Sequence, residues 1–541
     1  MRDIKNTKYY IRLPLILAIG IAAGILIGAK MVDVNSTDND LFNNVLKFRE
    51  VLTHVKKDYV DEVNTDELVE TAISKMLEKL DPHSVYIDAE EIDLAKSQLE
   101  GEFEGIGIEF SIIKDTIYVV APLTGGPSEK VGLHSGDKII KVDGKTVAGT
   151  GIAIKDVFEL LRGKKGTEVL IDVKRKGEDD LLDFAIERDV IPQNSVDVHY
   201  MVNSEIGYIR LSRFAAKTYD EFKEALEDLE EKGMNKLILD LQDNPGGYMD
   251  RAINIADEFL SGNKMIVYTD GKKDRYDTEA RASKEGTFEE GALIVLIDEG
   301  SASASEIVAG AIQDNDRGLI VGRRSFGKGL VQMPIALNDG SELRLTISRY
   351  YTPSGRSIQR PYSDDLNEYH QDLKYRFEHG EVFVADSIKF NDSLQFETSK
   401  GRLVYGGGGI MPDYFVPLDT SMNTTYFSKL VYGKAIREFT ITYAEANAQI
   451  LEAMGLKGYK NNFMVSDEML NELIQIGESA DVKFNKKEFV TSKDLIRNRV
   501  KAQIARSVWG SEGFYSIYNE SDEIFQKALK LFDEAKALAS K

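Results

Sequence analysis

A cluster of serines follows an apolar segment near the middle of the chain. Residues 292–297 (ALIVLI) predict a buried strand, the small residues at 300–304 predict a tight turn, and residues 303–314 predict a helix. Such an arrangement presents a serine at a helix N-terminus, where free backbone N–H groups and the helix dipole favour a developing oxyanion. Ser301 or Ser303 could therefore be a nucleophile, or either could serve only as the N-cap of the helix.

A serine nucleophile needs a base, and the histidines are poorly placed to supply one. The six histidines are His54, His83, His134, His199, His370 and His379. None of them falls between residues 205 and 350, and no G-x-S-x-G motif occurs. Lysine can act as the base when burial lowers its pKa toward neutrality. Lys328 is the candidate because the glycines on either side of it indicate a tight backbone, and Gln332 could hold its amine by a hydrogen bond.

The same lysine takes part in a second, weaker pattern. Ser325 and Lys328 match the S-x-x-K spacing of penicillin-binding enzymes. That spacing recurs at residues 111–114 and 261–264, and the accompanying S-D-N and K-T-G motifs do not occur in the sequence. An acyl-enzyme built on Ser325 is therefore a minor alternative, and Lys328 could also be an ordinary solvent-facing lysine.

A second loop could complete a site that binds an oxyanion. Residues 236–241 (KLILDL) predict a strand that runs into QDNPGG at residues 242–247. Because a glycine turn can present backbone N–H groups, Gly246 and Gly247 are candidates for one of the oxyanion donors. The alternative is an ordinary connection between a strand and a helix.

The sequence patterns around these loops predict the elements that position them and indicate a multidomain α+β chain. Strand-like and helical patterns alternate over residues 205–350, which is typical of an α/β domain with crossover helices. Short β-like runs separated by glycine turns over residues 100–190 predict a small β-rich domain with a short helix at residues 154–161. Apolar residues at helical spacing predict a small helical module at residues 41–80 and several amphipathic helices at residues 425–541.

Composition limits the classes of function that remain. At roughly 100–200 residues per domain, 541 residues allow several domains. The net charge of −22 repels phosphate backbones, so nucleic acid is not an expected partner. The chain has no cysteine, which excludes disulfides, thiolate metal sites and a cysteine nucleophile. No zinc-type H-E-x-x-H motif occurs either, and because a serine activated by a lysine needs neither a metal nor a cofactor, we expect neither.

The N-terminus predicts export. Basic residues precede an uncharged apolar run at residues 13–29, which ends at Lys30, and this order is that of an export signal. As a helix the run would span about 25 Å, slightly less than the roughly 30 Å core of a bilayer. It fits a cleaved signal or an uncleaved anchor, and the mediocre cleavage site at residues 27–29 favours the anchor. Because the basic flank stays inside, we expect a single-pass protein whose remaining residues lie outside the cytoplasm.

Together these motifs resemble those of the carboxyl-terminal processing peptidases, also called tail-specific proteases. The resemblance covers roughly residues 45–415. Its motifs are LDPHSVYI at 80–87, GEFEGIGIEF at 101–110, VGLHSGDKIIKVDGKTV at 131–147, DLQDNPGG at 240–247, SASASEIVAGAIQD at 301–314, GKGLVQ at 327–332, YYTPSGRSIQ at 350–359 and GGIMPD at 408–413. The resemblance implies a crotonase-like protease core, a PDZ domain and serine endopeptidase activity that depends on a Ser/Lys pair.

The resemblance also implies a role for each candidate residue. The implied catalytic residues are Ser303 as nucleophile, Lys328 as general base and Gln332, which orients the lysine. The implied oxyanion donors are Ala304 and a glycine of the turn, Gly246 or Gly247. Asp314 matches an aspartate that is described as catalytic in the family. Because eleven residues of helix advance about 16 Å, we predict that Asp314 supports the site without touching Ser303.

The β-rich segment resembles the PDZ domain of that family. Its implied peptide-binding residues are Gly105, Ile106, Gly107 and Ile108, whose backbone N–H groups can receive a terminal carboxylate. The strand that follows can pair with the tail as an added strand. Strand pairing reads few side chains, so specificity should fall on the last few, apolar residues of the tail. In the family this domain can also gate the active site when a tail docks.

We therefore expect five parts and one main function. The parts are a signal or anchor segment (1–33), an N-terminal helical module (34–97), a PDZ-like domain (98–188), an α/β Ser/Lys protease core (189–420) and a helical C-terminal region (421–541). Residues 364–403 resemble an insertion, and the C-terminal helices could form a homo-oligomer or hold an adaptor. The predicted function is a serine endopeptidase that acts on exported proteins with accessible C-terminal tails. The alternative is a catalytically silent scaffold that binds tails through its PDZ-like domain.

Overall fold

The computed structural model describes residues 36–540, apart from residues 124, 364–365 and 389–390. The predicted anchor segment therefore lies outside the described residues. Among the helices that the structure describes, none is both long and apolar enough to cross a membrane. The chain divides into two compact units, of which the first ends at Met76 and the second begins at Leu77.

Two helices dominate the described part of the first unit. They are α1 (Ser36–Asp58) and α2 (Thr65–Glu78). The Asn64 side chain accepts a hydrogen bond of 3.1 Å from the Asp66 N–H, which caps the first turn of α2. The helical module predicted from apolar spacing is confirmed.

The second unit opens with a connector and the β-rich domain. The connector consists of β1 (Val85–Ile87), α3 (Ile92–Glu100) and β2 (Glu102–Gly105). The domain consists of β3 (Ile108–Ile113), β4 (Thr116–Pro122), α4 (Pro127–Lys130), β5 (Lys138–Val142), β6 (Lys145–Thr146), α5 (Ile154–Leu161), β7 (Glu168–Lys174) and β8 (Leu182–Glu187). Its antiparallel sheet has the order β3-β4-β5-β7-β8, with β6 beside β5, so β3 is an edge strand. The next strand, β9 (Asp189–Pro192), pairs with β2.

The α/β core follows, with the alternation of strands and helices that the sequence predicts over residues 205–350. Its elements are β10 (Val196–Met201), β11 (Ile206–Leu211), α6 (Thr218–Glu231), β12 (Lys236–Asp240), α7 (Met249–Asp257), β13 (Met265–Gly271), β14 (Thr278–Arg281), β15 (Ala292–Ile297), α8 (Ala304–Asp314), β16 (Leu319–Gly322), β17 (Leu330–Ala336), β18 (Glu342–Tyr351), α9 (Leu366–His370), α10 (Asp372–Glu378), β19 (Gln395–Glu397), β20 (Leu403–Tyr405) and β21 (Tyr414–Phe415). Short 3₁₀ turns lie at Asp274–Tyr276, Ala385–Ser387 and Asp392–Leu394.

Two sheets organise this core. The first has the order β10-β11-β12-β15-β16-β21 and is parallel except for the β10–β11 pair. Every residue of β15 is buried, as expected for a central parallel strand with both faces covered. The second sheet has the order β1-β18-β13-β14, with β17 beside β18. The carboxyl ends of β12 and β15 meet at one edge of the first sheet, where loops of such sheets commonly form sites.

The C-terminal helices fall into two groups. They are α11 (Thr425–Tyr432), α12 (Ala435–Asn462), α13 (Asp467–Ser479), α14 (Lys486–Tyr518), α15 (Glu523–Ala528) and α16 (Phe532–Ser540). The first four pack around a core of their own, with kinks at Asn447 and Gly455 in α12 and at Trp509 and Gly510 in α14. The last two instead cover one face of the parallel sheet, where Phe525 packs edge-on against Tyr208 at 5.4 Å. They therefore complete the α/β core, although the sequence assigns them to a separate region.

The bundle formed by α11–α14 also contacts the β-rich domain. Lys114 and Glu438 form an ion pair of 2.8 Å, and Arg437 pairs with Glu109 at 3.1 Å. The predicted multidomain architecture, with helical regions at both ends, is thus confirmed. The individual domain boundaries and the crotonase-like resemblance of the core remain predictions.

Candidate active site

Ser303 lies at the turn between β15 and α8. Its backbone has φ 54° and ψ −110°, a left-handed conformation that a residue with a side chain rarely adopts. The neighbouring serines are committed to the backbone, since Ser301 Oγ donates to Leu241 O at 2.7 Å and Ser305 Oγ donates to Asn244 O at 2.9 Å. Of these three serines, Ser303 is thus the one that the turn leaves available for chemistry.

The glycine turn after β12 lies directly against Ser303. A Cβ on Gly246 would lie 2.8 Å from Ser303 Cβ and 2.9 Å from Ala304 N, so only glycine permits this approach. The Gly246 N–H is already used, because it donates to Asn244 Oδ1 at 2.9 Å. Within the described residues, the N–H groups of Gly247 and Ala304 donate to no acceptor. Of the predicted donors, Gly247 and Ala304 are therefore the pair available to an oxyanion.

The Lys328 amine is held where the sequence predicts. Its Nζ donates to Gln332 Oε1 at 2.9 Å, and Gln332 Nε2 in turn donates to the His83 carbonyl. Burial lowers the pKa of Lys328, the charges of Glu306 and Asp81 oppose that shift, and Arg344 adds to it. The amine is thus displaced toward the neutral form that a general base requires.

Glu306 is a buried residue that sequence reasoning did not single out. One of its carboxylate oxygens accepts the Ser303 N–H at 2.8 Å and the Lys328 N–H at 2.9 Å. The other accepts the Gly327 N–H at 2.7 Å and the Ser325 hydroxyl at 2.5 Å. Burial raises the pKa of Glu306, whereas these donors lower it. Four donors around two oxygens fit the ionised carboxylate. Glu306 therefore connects the turn that carries Ser303 to the loop that carries Lys328. The S-x-x-E spacing of a helix capping box, from Ser303 to Glu306, is the sequence pattern that could have identified it.

Ser325 is poorly suited to be a nucleophile in this arrangement. Its side chain is fully buried. Its hydroxyl donates to Glu306 and accepts the Ile410 N–H at 2.6 Å. The geometry therefore gives no support to the penicillin-binding alternative.

Asp314 lies at the far end of α8, about 16 Å along the helix from Ser303. Its carboxylate forms an ion pair of 2.7 Å with Arg356, and neither side chain is exposed to solvent. The second oxygen accepts the Ser354 hydroxyl at 2.7 Å and its N–H at 3.1 Å. Asp314 thus fastens the loop after β18 and does not touch Ser303, as expected for a supporting residue.

Three of the four predicted peptide-binding residues, Ile106, Gly107 and Ile108, line a groove between β3 and α5, whereas Gly105 is the last residue of β2. The Ile106 carbonyl accepts the Ser128 N–H at 3.0 Å, and the Gly107 carbonyl accepts the Leu123 N–H at 2.9 Å. Because a trans peptide points its C=O and N–H in opposite directions, the N–H groups of Gly107 and Ile108 point away from these partners. They are therefore available to a carboxylate or to an added strand.

Aromatic side chains narrow this groove. Its cavity measures about 40 Å³ and is lined by Ile106, Ile108, Phe110, Val157, Phe158 and Leu161, among others. The Phe110 and Phe158 rings meet edge to face at 5.8 Å. The Arg162 guanidinium lies 4.3 Å above the Phe158 ring. These contacts surround a small apolar groove beside the free edge of β3.

Within the described ranges, no group of three or more His, Asp or Glu side chains is placed to hold a metal ion. The candidate chemistry rests on the serine, the lysine and backbone N–H groups.

Family models match four successive parts of the chain. Residues 205–366 match peptidase family S41, and residues 105–186 match the PDZ domain. Residues 27–91 match the N-terminal domain of the activating protease CtpB. Residues 426–510 match a family of unknown function. The β-rich domain is therefore a PDZ domain, and the α/β core is that of a peptidase.

Several known proteins are similar over much of the chain. A carboxy-terminal-processing protease of Bartonella bacilliformis is 39% identical over 63% of this chain and 78% of its own length. The carboxy-terminal processing protease CtpA of Bacillus subtilis is 35% identical over 60% of this chain and 68% of its own. Among solved structures, a photosystem II D1 C-terminal processing protease is 26% identical over 69% of this chain and 86% of its own, with a TM-score of 0.36. On the two sequence relatives and the family models, the chain belongs to the carboxyl-terminal processing peptidases of family S41.

Proposed function

We propose that this chain is a serine endopeptidase that recognises C-terminal tails through its PDZ domain and hydrolyses peptide bonds through a Ser303 acyl-enzyme. One observation carries the proposal. A strained serine at a helix start and a partly buried lysine with a lowered pKa are tied to the same carboxylate, Glu306. That combination fits a Ser/Lys pair better than it fits a structural role.

The proposed chemistry begins with the neutral Lys328 amine. Lys328 takes the proton of the Ser303 hydroxyl as Ser303 Oγ attacks the substrate carbonyl. The N–H groups of Ala304 and Gly247 stabilise the oxyanion of the tetrahedral intermediate. Protonated Lys328 then gives its proton to the leaving amine, and the acyl-enzyme forms. Water, deprotonated by Lys328, releases the acyl group, while Gln332 keeps the amine in place.

Tail recognition is assigned to the PDZ groove. The terminal carboxylate binds at the Gly107 N–H, and the tail pairs with the free edge of β3 as an added strand. The apolar lining at Ile108, Val157 and Leu161 then favours apolar residues at the end of the tail. A docked tail also delivers the substrate chain to the protease core.

The sequence of residues 1–33 supports a proposal about the cellular location of the protein. We infer export to the bacterial envelope, with a single-pass anchor on the periplasmic side of the inner membrane, or a cleaved signal in its place. Substrates are then exported proteins. We also propose a crotonase-like core and a homo-oligomer or adaptor contact through the C-terminal helices.

The test is cleavage of an unfolded reporter protein with a free, apolar C-terminus by the full chain. We expect the wild-type protein to cleave it and Ser303→Ala to leave it intact. Ser325→Ala should retain measurable cleavage, since Ser325 only helps to hold Glu306. Loss of activity through Ser325 alone would contradict the assignment of the nucleophile.

The silent scaffold is the second outcome of the same assay. A scaffold would bind the reporter tail while neither the wild-type protein nor Ser303→Ala cleaves it. A short peptide that docks in the PDZ groove separates a gated enzyme from a scaffold, because only the gated enzyme would begin to cleave when the peptide is added.

A further inference from the structure

The described residues of the insertion at 364–403 pack against the loop that carries Lys328. Arg376, which is 2% exposed, donates from Nη1 to Ser325 O at 2.8 Å and from Nη2 to Phe326 O at 3.2 Å. Its Nε pairs with Asp372 of the same insertion at 2.8 Å. The insertion thus fixes the backbone immediately before the lysine and is not a free surface loop.

Tyr369 is a second buried residue of the insertion. It is 4% exposed, and its hydroxyl shares a hydrogen bond of 2.6 Å with His83 Nε2. The two rings meet edge to face at 5.4 Å. The Arg360 guanidinium lies 3.8 Å above the Tyr369 ring and 4.1 Å above the Phe326 ring. This stack fixes the position of the tyrosine hydroxyl against the histidine.

His83 connects this tyrosine to the lysine amine. The His83 carbonyl accepts Gln332 Nε2, and Gln332 Oε1 accepts Lys328 Nζ at 2.9 Å. Asp81 holds the same segment, because its Oδ1 accepts the His83 N–H at 2.8 Å. Burial, and then the charge of Lys328, lower the pKa of His83 to about 3, so the imidazole is neutral at working pH. The neutral ring offers Tyr369 a hydrogen bond without adding charge beside the amine.

We propose that Tyr369 is a positioning residue for the Lys328 amine, acting through the His83 segment and Gln332. This inference rests on the proposed Ser/Lys chemistry. Without the hydroxyl, a partly buried nitrogen of His83 loses its partner, and the segment whose carbonyl anchors Gln332 shifts or admits water. The amine then becomes more mobile and more hydrated. The insertion is accordingly part of the catalytic apparatus of this chain.

The charged groups around this path stay unchanged when only a hydroxyl is removed. Glu306, Asp81 and Arg344 act on Lys328, and Asp81, Arg360 and His370 act on His83 alongside the lysine. A change in the titration of Lys328 after Tyr369→Phe therefore reports hydration and positioning. Because hydration weakens the lowering of the pKa by burial, that pKa should rise toward the ordinary value of a lysine.

The test compares Tyr369→Phe with Tyr375→Phe in the full chain. Tyr375 lies in the same insertion but is 58% exposed, so it is a matched control. We expect Tyr369→Phe to lower kcat about tenfold with KM unchanged, the size of one lost hydrogen bond. The acidic limb of its pH profile should move to higher pH. Tyr375→Phe should match the wild-type protein, and equal behaviour of the two variants would overturn the proposal.

A double variant tests the route through Gln332. In a Gln332→Ala background the amine has already lost its partner, so Tyr369→Phe should have little further effect on kcat. Two independent losses that multiply would overturn the coupling. If Tyr369→Phe does not fold, His83→Phe breaks the same bond from the other side and should reproduce the shift in the pH profile.

A titration that needs no turnover separates this inference from the proposed function. In a Ser303→Ala background, acetylation of Lys328 by acetic anhydride is followed by peptide mass spectrometry as a function of pH. The pKa of Lys328 should be higher with Tyr369→Phe than with Tyr375→Phe. Identical pKa values would overturn the inference even if the wild-type protein cleaves its reporter. A difference would support it even if the wild-type protein cleaves nothing.

Discussion

The candidate catalytic centre and the PDZ groove are built on opposite principles. Around Ser303 and Lys328 the supporting polar side chains are held by hydrogen bonds, and Glu306 alone accepts four. The groove between β3 and α5 is lined by apolar side chains and offers mainly backbone polar groups. Chemistry requires fixed geometry, whereas recognition of varied tails requires adaptable apolar surface. Substitutions in the first region should therefore act on kcat, and those in the second on KM.

The largest expected effect is that of Lys328→Met. Loss of the proposed general base should lower kcat by about 10²–10⁴ with little change in KM, measured on the unfolded reporter. The same variant should be more stable to urea by about 0.5–2 kcal/mol, since an apolar side chain replaces a buried amine.

The pH dependence of the free energy of unfolding tests whether folding lowers the pKa of Lys328. The pKa of Lys328 is lowered in the folded protein, so the folded state binds fewer protons than the unfolded state between the two pKa values. The contribution of Lys328 to stability therefore increases as the pH rises through that window, and Lys328→Met should remove this increase. A variant that is less stable than the wild-type protein, or that keeps its kcat, would contradict the assignment.

Asp314→Asn tests whether Asp314 takes part in catalysis or only stabilises the fold. It leaves the buried Arg356 guanidinium without its counter-ion, and we expect a loss of about 3–5 kcal/mol in the free energy of unfolding. Glu378→Gln, which breaks an exposed ion pair with Lys374, is the control and should cost less than about 1 kcal/mol. If Asp314→Asn kept the stability of the wild-type protein but had a much lower kcat, Asp314 would have a direct role in catalysis.

Glu306→Gln should act on both rate and pH profile. The amide keeps one acceptor oxygen for four donors, so the serine turn and the lysine loop loosen and kcat falls by about tenfold or more. The carboxylate charge raises the pKa of Lys328, and its removal should therefore move the acidic limb to lower pH. This direction is opposite to that expected for Tyr369→Phe. A limb that moved to higher pH would show that hydration outweighs the lost charge.

The smallest effect should come from substituting an apolar residue of the PDZ groove. Ile108→Ala removes part of its apolar lining, and we expect KM to rise about three- to tenfold with kcat unchanged. Leu170→Ala on β7 removes a side chain that is 50% exposed in the same domain and should leave both constants unchanged. A fall in kcat of the same size as the expected rise in KM after Ile108→Ala would show that the groove also gates the protease core.

Much of the fold and part of the site could be predicted because the relevant signals are local. The apolar run of β15 and the helical spacing of α8 lie within about 25 consecutive residues, and together they place Ser303 at the turn. Lys328 and Gln332 are only four positions apart, so their pairing could be proposed from the sequence alone. The pattern of short strands and glycine turns predicts the β-rich domain, whereas the pairing of a tail with β3 was implied by the PDZ resemblance and its edge position by the observed sheet order.

What the sequence could not supply depends on contacts between distant segments. His83 and Tyr369 are 286 positions apart, and nothing in their local patterns joins them. The choice of Gly247 over Gly246 depends on the Asn244 side chain, which occupies one N–H and leaves the other. The helices α15 and α16 have ordinary amphipathic spacing, which shows that they bury an apolar face but does not identify the sheet that they cover.

The most direct test of the central claim is to trap the acyl-enzyme. The full chain is incubated with a peptide active ester that acylates serine proteases and deacylates slowly, and the modified residue is located by peptide mass spectrometry. The account predicts an acyl group on Ser303, absent in Ser303→Ala and formed at least about 100-fold more slowly in Lys328→Met. An acyl group on Ser325, or labelling of Ser303 that does not depend on Lys328, would contradict it.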